Sequence, residues 1–132
     1  MPMANKQPLS PHLSIWKWRS HMTVSIFHRA TGAALTFGGL VIFTWWLAAA
    51  ATSPDAYALF LQCASGILGK IVLIGLSWVA FQHLLSGVRH LLMDTGWGYR
   101  IGTATNTATW TFIGSVILTI ALWAVIFLSQ GV

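Results

Sequence analysis

One histidine, His83, lies inside an apolar stretch where an ionisable side chain is costly. The segment Ile71–Val88 contains no charged side chain, and Arg89 and His90 follow it directly. Ionisable groups within a bilayer are rare and usually mark a functional site. Neutral imidazole is a common axial ligand of haem iron. The position of His83 therefore favours haem ligation over a structural imidazole that only donates to a backbone carbonyl.

The residues after His83 indicate how such a site would be arranged. His90 lies seven residues further on, close to two helical turns, so both rings share one helix face. Gly87, one turn after His83, is expected to leave room on that face for a flat macrocycle. If Arg89 marks the cytoplasmic boundary, His83 lies roughly 9 Å inside the hydrocarbon. His90, beside Arg89, is expected to face solvent or a haem propionate rather than the iron.

One helix cannot supply both axial ligands of a haem, because they approach the iron from opposite faces. The remaining histidines, His12, His21 and His28, precede or open the first apolar segment. None of them is expected to reach the depth of His83, and the third apolar segment contains no histidine. A bis-histidine haem would therefore need its second ligand from a partner chain.

A second group of polar residues opens the first apolar segment. Ser25, His28 and Arg29 are spaced i, i+3 and i+4, so they share a face if the helix begins near Thr23. A hydroxyl and a guanidinium at the interface could bind a carbonyl oxygen of a lipid-soluble ligand. The alternative stays open that Arg29 reaches lipid phosphates and that Ser25 caps the helix.

The composition indicates a membrane protein. Hydrophobic residues make up 56% of the 132 positions and charged residues only 7%, too apolar for a soluble domain of this size. Three segments, about 25–51, 67–93 and 108–129, are long enough to cross a hydrocarbon core as helices. No segment alternates at period two, as transmembrane strands would. We predict an all-α membrane protein with three transmembrane helices in one domain, 1–132.

The distribution of positive charge predicts the orientation of the chain. Six lysines and arginines lie in or near the N-terminal arm, 1–24, and the second connector, whereas only Lys70 lies on the opposite side. The arm is therefore expected in the cytoplasm and the C-terminus in the periplasm. The net charge of +5 is interpreted as this topological signal, so lipids rather than nucleic acid are the expected contacts.

The connectors and the chain start carry weaker signals. Pro54-Asp55 is expected to begin a short interfacial helix toward Gln62. Cys63 is the only cysteine, which excludes an intrachain disulfide and iron–sulfur ligation within this chain. The N-terminus lacks the pattern of a cleaved signal or transit peptide, which favours a bacterial inner-membrane protein.

Three segments together resemble the cytochrome b membrane-anchor subunit of succinate dehydrogenase (complex II). They are Pro8-Leu9-Ser10-Pro11-His12-Leu13, the pattern S-I-x-H-R-x-T-G at 25–32, and the pattern H-x-x-x-G-x-R-H-x-x-x-D at 83–94. The resemblance covers about residues 6–100 and includes the order and spacing of the segments. It is similar to the form found in alphaproteobacteria and mitochondria. Lys6-Gln7 and Trp16 depart from the family pattern, which bears on docking of the arm.

The resemblance implies a role for each matching residue. His83 would be an axial ligand of haem b, with the second axial histidine in the other small anchor subunit, so this chain would form half of a two-subunit bundle. Ser25 and Arg29, with Ile26 beside them, would bind ubiquinone. The residues expected near the haem propionates are His28, Arg29, Arg89 and His90.

The implied activity is that of the whole complex. A flavoprotein and an iron–sulfur subunit would oxidise succinate, and the anchor would pass the electrons to ubiquinone. No catalytic residue and no activity are expected of this chain alone. Two alternatives remain: the anchor of a quinol-oxidising fumarate reductase, and a membrane scaffold without redox chemistry.

Overall fold

The computed structural model describes residue 11 and residues 14–129, and over this part of the chain it contains helices and no strand. Three helices, Ser20–Thr52, Ile67–Asp94 and Ile101–Ser129, are long and apolar enough to cross a membrane. The shortest has 28 residues, which corresponds to about 42 Å and exceeds the roughly 30 Å of hydrocarbon. The predicted all-α membrane architecture with three spans is confirmed.

The first span is one continuous helix with a wider turn in its middle. It consists of α1 (Ser20–Ala34), a π segment (Leu35–Gly39) and α2 (Leu40–Thr52). Because a π turn takes one residue more than an α turn, the side chains of α2 are rotated away from the register of α1. Arg19, with extended backbone, occupies the N-cap position. The helix therefore begins five residues before the position predicted from hydropathy.

A short helix, α3 (Pro54–Ser65), connects the first and second spans. Ser53 caps it, since its hydroxyl accepts a hydrogen bond from the backbone N–H of Ala56 at 3.2 Å, and Pro54 occupies the first turn. The helix predicted at Pro54-Asp55 is confirmed and extends to Ser65. The second span, α4 (Ile67–Asp94), follows after Gly66 alone.

The third span, α5 (Ile101–Ser129), returns antiparallel to α4 after a turn in which Gly96 and Gly98 have positive φ. It begins seven residues before the predicted start at 108. Residues 101–109 are mostly Thr, Ala, Gly and Asn, which hydropathy does not identify as membrane-spanning. They form helix because small residues pack closely on α4: Ala104 and Ala108 are both buried.

Side-chain hydrogen bonds link α4 and α5 at three levels, which we call the polar seam: Arg89 with Thr107, Gln82 with Ser115, and Ser77 with Trp123. Ser115 donates to Oε1 of Gln82 at 2.8 Å, and both residues are fully buried. In lipid, apolar packing alone does not distinguish a neighbouring helix from acyl chains, so polar contacts and small residues specify the pairing. The polar seam therefore fixes the register of α4 on α5.

Candidate functional site

Three imidazoles meet where α1 crosses α4. The rings of His28 and His83 stack with centroids 4.1 Å apart and planes 8° apart. His90 makes an edge contact with His28 at 5.1 Å. The expectation that His28 could not reach the depth of His83 was wrong, because α1 begins at Ser20 and places His28 more than two turns into the helix.

Two glycines make this crossing possible, and their arrangement is reciprocal. Gly32 lies one turn after His28, and a Cβ atom there would lie 3.0 Å from Cε1 of His83. Gly87 lies one turn after His83, and its Cβ would lie 3.5 Å from Nε2 of His28. The imidazole of each helix therefore packs against a glycine of the other helix. The room expected over Gly87 for a macrocycle is instead filled by the ring of His28.

The contacts of His83 determine which of its ring nitrogens is free. Nδ1 lies 3.1 Å from the backbone oxygen of His28 and 3.2 Å from Oγ1 of Thr31. A carbonyl oxygen can only accept, so Nδ1 carries the proton and donates it. In the neutral ring this leaves the lone pair on Nε2. A fixed Nδ1–H with a free Nε2 is the usual arrangement of a metal-ligating histidine.

The surrounding donors fit haem better than a bare metal ion. Within residues 14–129 the structure places no group of three or more His, Cys, Asp or Glu side chains where they could hold an ion. A single imidazole suffices for haem iron, because the macrocycle supplies the equatorial nitrogens. His28 does not fit as the second axial ligand, since two rings stacked face to face leave no space for a macrocycle between them.

A pocket of about 540 Å³ opens beside the histidines, where α1 begins and α4 ends. Ser25, Ile26 and Arg29 line it from α1, and Arg89 and His90 line it from α4. These five residues were predicted from the sequence to bind quinone or to lie near haem propionates, and the structure brings them together. The two groups are about 60 positions apart in the sequence, and the α1–α4 crossing brings them together.

Several residues of the pocket were not predicted as site residues. Trp18 and Tyr99 belong to the segments that precede the first and third spans, and Ile101 and Ala104 belong to the unpredicted start of α5. The complete set of these additional lining residues is Trp16, Trp18, His21, Met22, Met93, Tyr99, Ile101 and Ala104. The clustering of aromatic residues in both flanking segments was the one sequence signal for them.

The structure contradicts the alternative for Ser25 and leaves open the alternative that Arg29 reaches lipid phosphates. Ser25 lies in the second turn of α1, so the alternative that it caps the helix is wrong. Arg29 is exposed and reaches the pocket from the next turn. Both side chains are thus placed to meet a molecule that enters this pocket from the surface of the bundle.

Arg89 is engaged by α5 rather than free at a boundary. Its Nε donates to Oγ1 of Thr107 at 3.1 Å, and one terminal nitrogen donates to the backbone oxygen of Ala104 at 3.2 Å. Only 5% of the residue is exposed. α4 continues beyond Arg89 to Asp94, one residue past the predicted end of the second span at 93. The role of Arg89 toward a propionate stays a prediction.

The described chain is thus a three-span helical protein in which this histidine adjoins a polar-rimmed pocket. Residues 3–122 match the family described as "Succinate dehydrogenase/Fumarate reductase transmembrane subunit". The chain belongs to this family and is a multi-pass membrane protein. The predicted resemblance is confirmed.

Individual relatives cover nearly the whole chain. The succinate dehydrogenase cytochrome b556 subunit of Paracoccus denitrificans is 41% identical over 121 residues, which are 92% of this chain and 92% of the relative. The protein of the same name from Rickettsia felis is 40% identical over 119 residues, 90% of this chain and 92% of the relative. The mitochondrial cytochrome b560 subunit of Mus musculus is 35% identical over 102 residues, 74% of this chain and 59% of the relative. The class of protein, a membrane subunit of this oxidoreductase family, follows from these relationships.

Proposed function

We propose that the chain is the haem b-carrying anchor of a succinate:quinone oxidoreductase, which passes electrons from succinate oxidation to ubiquinone. The observation that carries the proposal is His83, whose Nδ1–H is fixed by the His28 carbonyl and Thr31 while Nε2 keeps its lone pair. The printed names of the relatives, cytochrome b556 and cytochrome b560, support the same cofactor.

In this proposal Nε2 of His83 would hold the haem iron, and a histidine of the other small anchor subunit would hold it as well. When bound, the haem supplies reversible one-electron chemistry. This chain contributes the ligand, the hydrogen bonds that orient it, and cationic neighbours for the propionates. The residues assigned to the propionate region are His28, Arg29, Arg89 and His90.

The pocket lined by Ser25 and Arg29 is the proposed quinone site. Its volume falls in the range of roughly 300–1,000 Å³ found for small-molecule sites. The Ser25 hydroxyl can donate to a quinone carbonyl oxygen, and Ile26 offers apolar contact beside it. Arg29 keeps its charge at any physiological pH and would stabilise the negative charge that builds on that oxygen during reduction. Protons reach the oxygen from water at the open mouth of the pocket.

The proposed location of this pocket is the cytoplasmic face of a bacterial inner membrane, and the distribution of positive charge supports it. Among the described residues, five positive side chains belong to the end of the bundle that holds the pocket, and Lys70 belongs to the other end. The N-terminus is then cytoplasmic and the C-terminus periplasmic. The proposed partners, besides the second anchor and lipids, are the iron–sulfur and flavoprotein subunits that oxidise succinate on this side.

Replacement of His83 tests the haem assignment. In the assembled complex, His83→Leu should abolish or shift the haem band in the reduced-minus-oxidised spectrum. Leu84→Ala, at the next and exposed position of the same helix, should retain the band. An unaltered haem band in His83→Leu would refute ligation by this residue.

Replacements in the pocket test the quinone assignment. Ser25→Ala and Arg29→Leu should lower succinate–quinone activity but spare succinate oxidation with a soluble acceptor. Thr36→Ala, at an exposed position of the same span, should change neither rate. Equal losses in both assays would mean that the variants disturb assembly, and the assignment would fail.

The family description favours one alternative function, because it names fumarate reductase together with succinate dehydrogenase. A fumarate reductase anchor would use the same pocket to oxidise quinol. Rates of succinate–quinone and quinol–fumarate turnover by the purified complex distinguish the two directions. A complex that binds its partners without haem would favour the non-redox scaffold.

A further inference from the structure

We infer that Thr31 is a positioning residue for His83: its hydroxyl fixes the tautomer and rotation of the imidazole and lowers the reduction potential of the iron it binds. This inference rests on the proposed haem ligation and adds to it a residue in α1 that tunes the ligand. Thr31 is buried, with 4% of its surface exposed, so water does not compete for its hydroxyl.

The Thr31 hydroxyl has two carbonyl acceptors within reach in its own helix, and donation to either leaves a lone pair of Oγ1 for His83. The hydroxyl has a single hydrogen, and the shorter of its two carbonyl contacts is to the Phe27 oxygen at 2.7 Å, against 3.1 Å to the His28 oxygen. With that hydrogen donated to Phe27, a lone pair of Oγ1 accepts from Nδ1–H of His83 at 3.2 Å. The proton of Nδ1 is thus shared between Thr31 and the His28 carbonyl.

This arrangement strengthens the imidazole as a ligand. A hydroxyl that donates becomes a better acceptor, because linked hydrogen bonds polarise one another. A stronger hydrogen bond from Nδ1–H to Thr31 raises the electron density on Nε2, and this raises the basicity of Nε2 toward a metal. A more basic axial ligand stabilises ferric over ferrous iron. Removing a partner of this kind typically costs about 10- to 100-fold in metal affinity or activity.

Two substitutions at Thr31 distinguish the effect of the hydroxyl from the effect of the shape of the side chain. Thr31→Val keeps the shape and removes the acceptor, whereas Thr31→Ser keeps the hydroxyl. Thr36→Val is the matched control, because Thr36 makes the same type of bond to a backbone oxygen of its own helix, that of Gly32 at 2.9 Å, on an exposed face.

The measurements are the midpoint potential of the haem and the EPR spectrum of its ferric form in the purified complex. Thr31→Val should move the potential to more positive values and change the EPR g-values, or lose haem. Thr31→Ser and Thr36→Val should match the unsubstituted protein in potential, spectrum and haem content.

Full haem content with an unchanged potential and EPR spectrum in Thr31→Val would overturn the inference. Equal changes in Thr31→Val and Thr31→Ser would also overturn it, because the hydroxyl would then not be the cause. Failure of the proposed function has a different signature, namely retention of the haem band in His83→Leu. The two failures are therefore distinguishable.

Discussion

Gly32 and His83 approach so closely that a Cβ atom on the glycine would lie 3.0 Å from Cε1 of the imidazole, tighter than nine in ten real Cβ contacts. The movement of the ring is restricted, because one face stacks on His28 and its Nδ1 is held by two oxygens. The position of this half-buried imidazole thus depends on the absence of one methyl group from the neighbouring helix.

Gly32→Ala should therefore displace the ring of His83 and lower haem content or shift the midpoint potential of the haem. Gly75→Ala on α4 is the control, since a Cβ atom there meets nothing within 4 Å. Both substitutions raise helix propensity by a similar amount, up to about 1 kcal/mol, so a difference between them reports the contact with His83. Haem content and potential in Gly32→Ala equal to those of Gly75→Ala would contradict this account.

Arg89→Lys should weaken the attachment of α5 to α4 near the pocket. A lysine cannot reproduce two donors aimed at Thr107 and the Ala104 carbonyl, and hydrogen bonds from charged groups contribute about 1.5–3 kcal/mol each. We expect a lower temperature of thermal unfolding and a lower succinate–quinone rate, because Arg89 and Ala104 both line the pocket. Arg100→Lys, at an exposed position nearby, should leave both measurements unchanged.

Because Gln82 and Ser115 are hydrogen-bonded, we expect the double variant to lose less free energy of unfolding than the sum of the two single variants. Ser115→Ala should destabilise the protein by about 1 kcal/mol, because it leaves the Gln82 amide buried without this partner. Gln82→Met together with Ser115→Ala replaces both groups by apolar ones and should recover most of the loss, as paired removal is often nearly neutral. Measured couplings between membrane helices average about 0.6 kcal/mol. Strictly additive losses in unfolding experiments would refute the coupling.

Gly69→Ala should break the junction between α3 and α4. A Cβ atom there would overlap the backbone oxygen of Cys63 and would lie 2.7 Å from that of Ala64, and neither can move without displacing its helix. At Gly66, three residues earlier, the same addition makes only ordinary contacts of 3.4 and 3.5 Å. We expect poor accumulation of assembled complex for Gly69→Ala and near-normal accumulation for Gly66→Ala, measured from membranes by haem absorbance.

The sequence predicted what depends on local composition and missed what depends on contacts between spans. Long apolar segments identify the three helices, because hydrocarbon imposes the same requirement on each of them. The first turns of α5 escaped prediction because their threonines and small residues are stabilised by α4, through Arg89. The depth of His28 was misjudged because α1 begins in a polar segment that hydropathy assigns to the arm.

The site, too, could be predicted from the sequence only where it does not depend on contacts between spans. Residue types and family patterns predicted Ser25, Ile26, Arg29, Arg89 and His90 together with His83, and the structure gathers the first five around one pocket. The reciprocal packing of His28 over Gly87 and His83 over Gly32 is a property of the helix crossing, and no local pattern reports the angle or register of a crossing. Thr31 was overlooked for the same reason, since its significance lies in a neighbour 52 positions away.

The polar seam has a consequence for biogenesis. Oε1 of Gln82 accepts from the Ser115 hydroxyl inside a hairpin that this polypeptide forms by itself, while Nε2 of Gln82 is buried without a partner among the described residues. Such a hairpin can leave the insertion machinery as a paired unit, with these groups already shielded from acyl chains. The newly made subunit would then wait for its companion and its prosthetic group as a stable, partly assembled intermediate, with only the histidine end still incomplete.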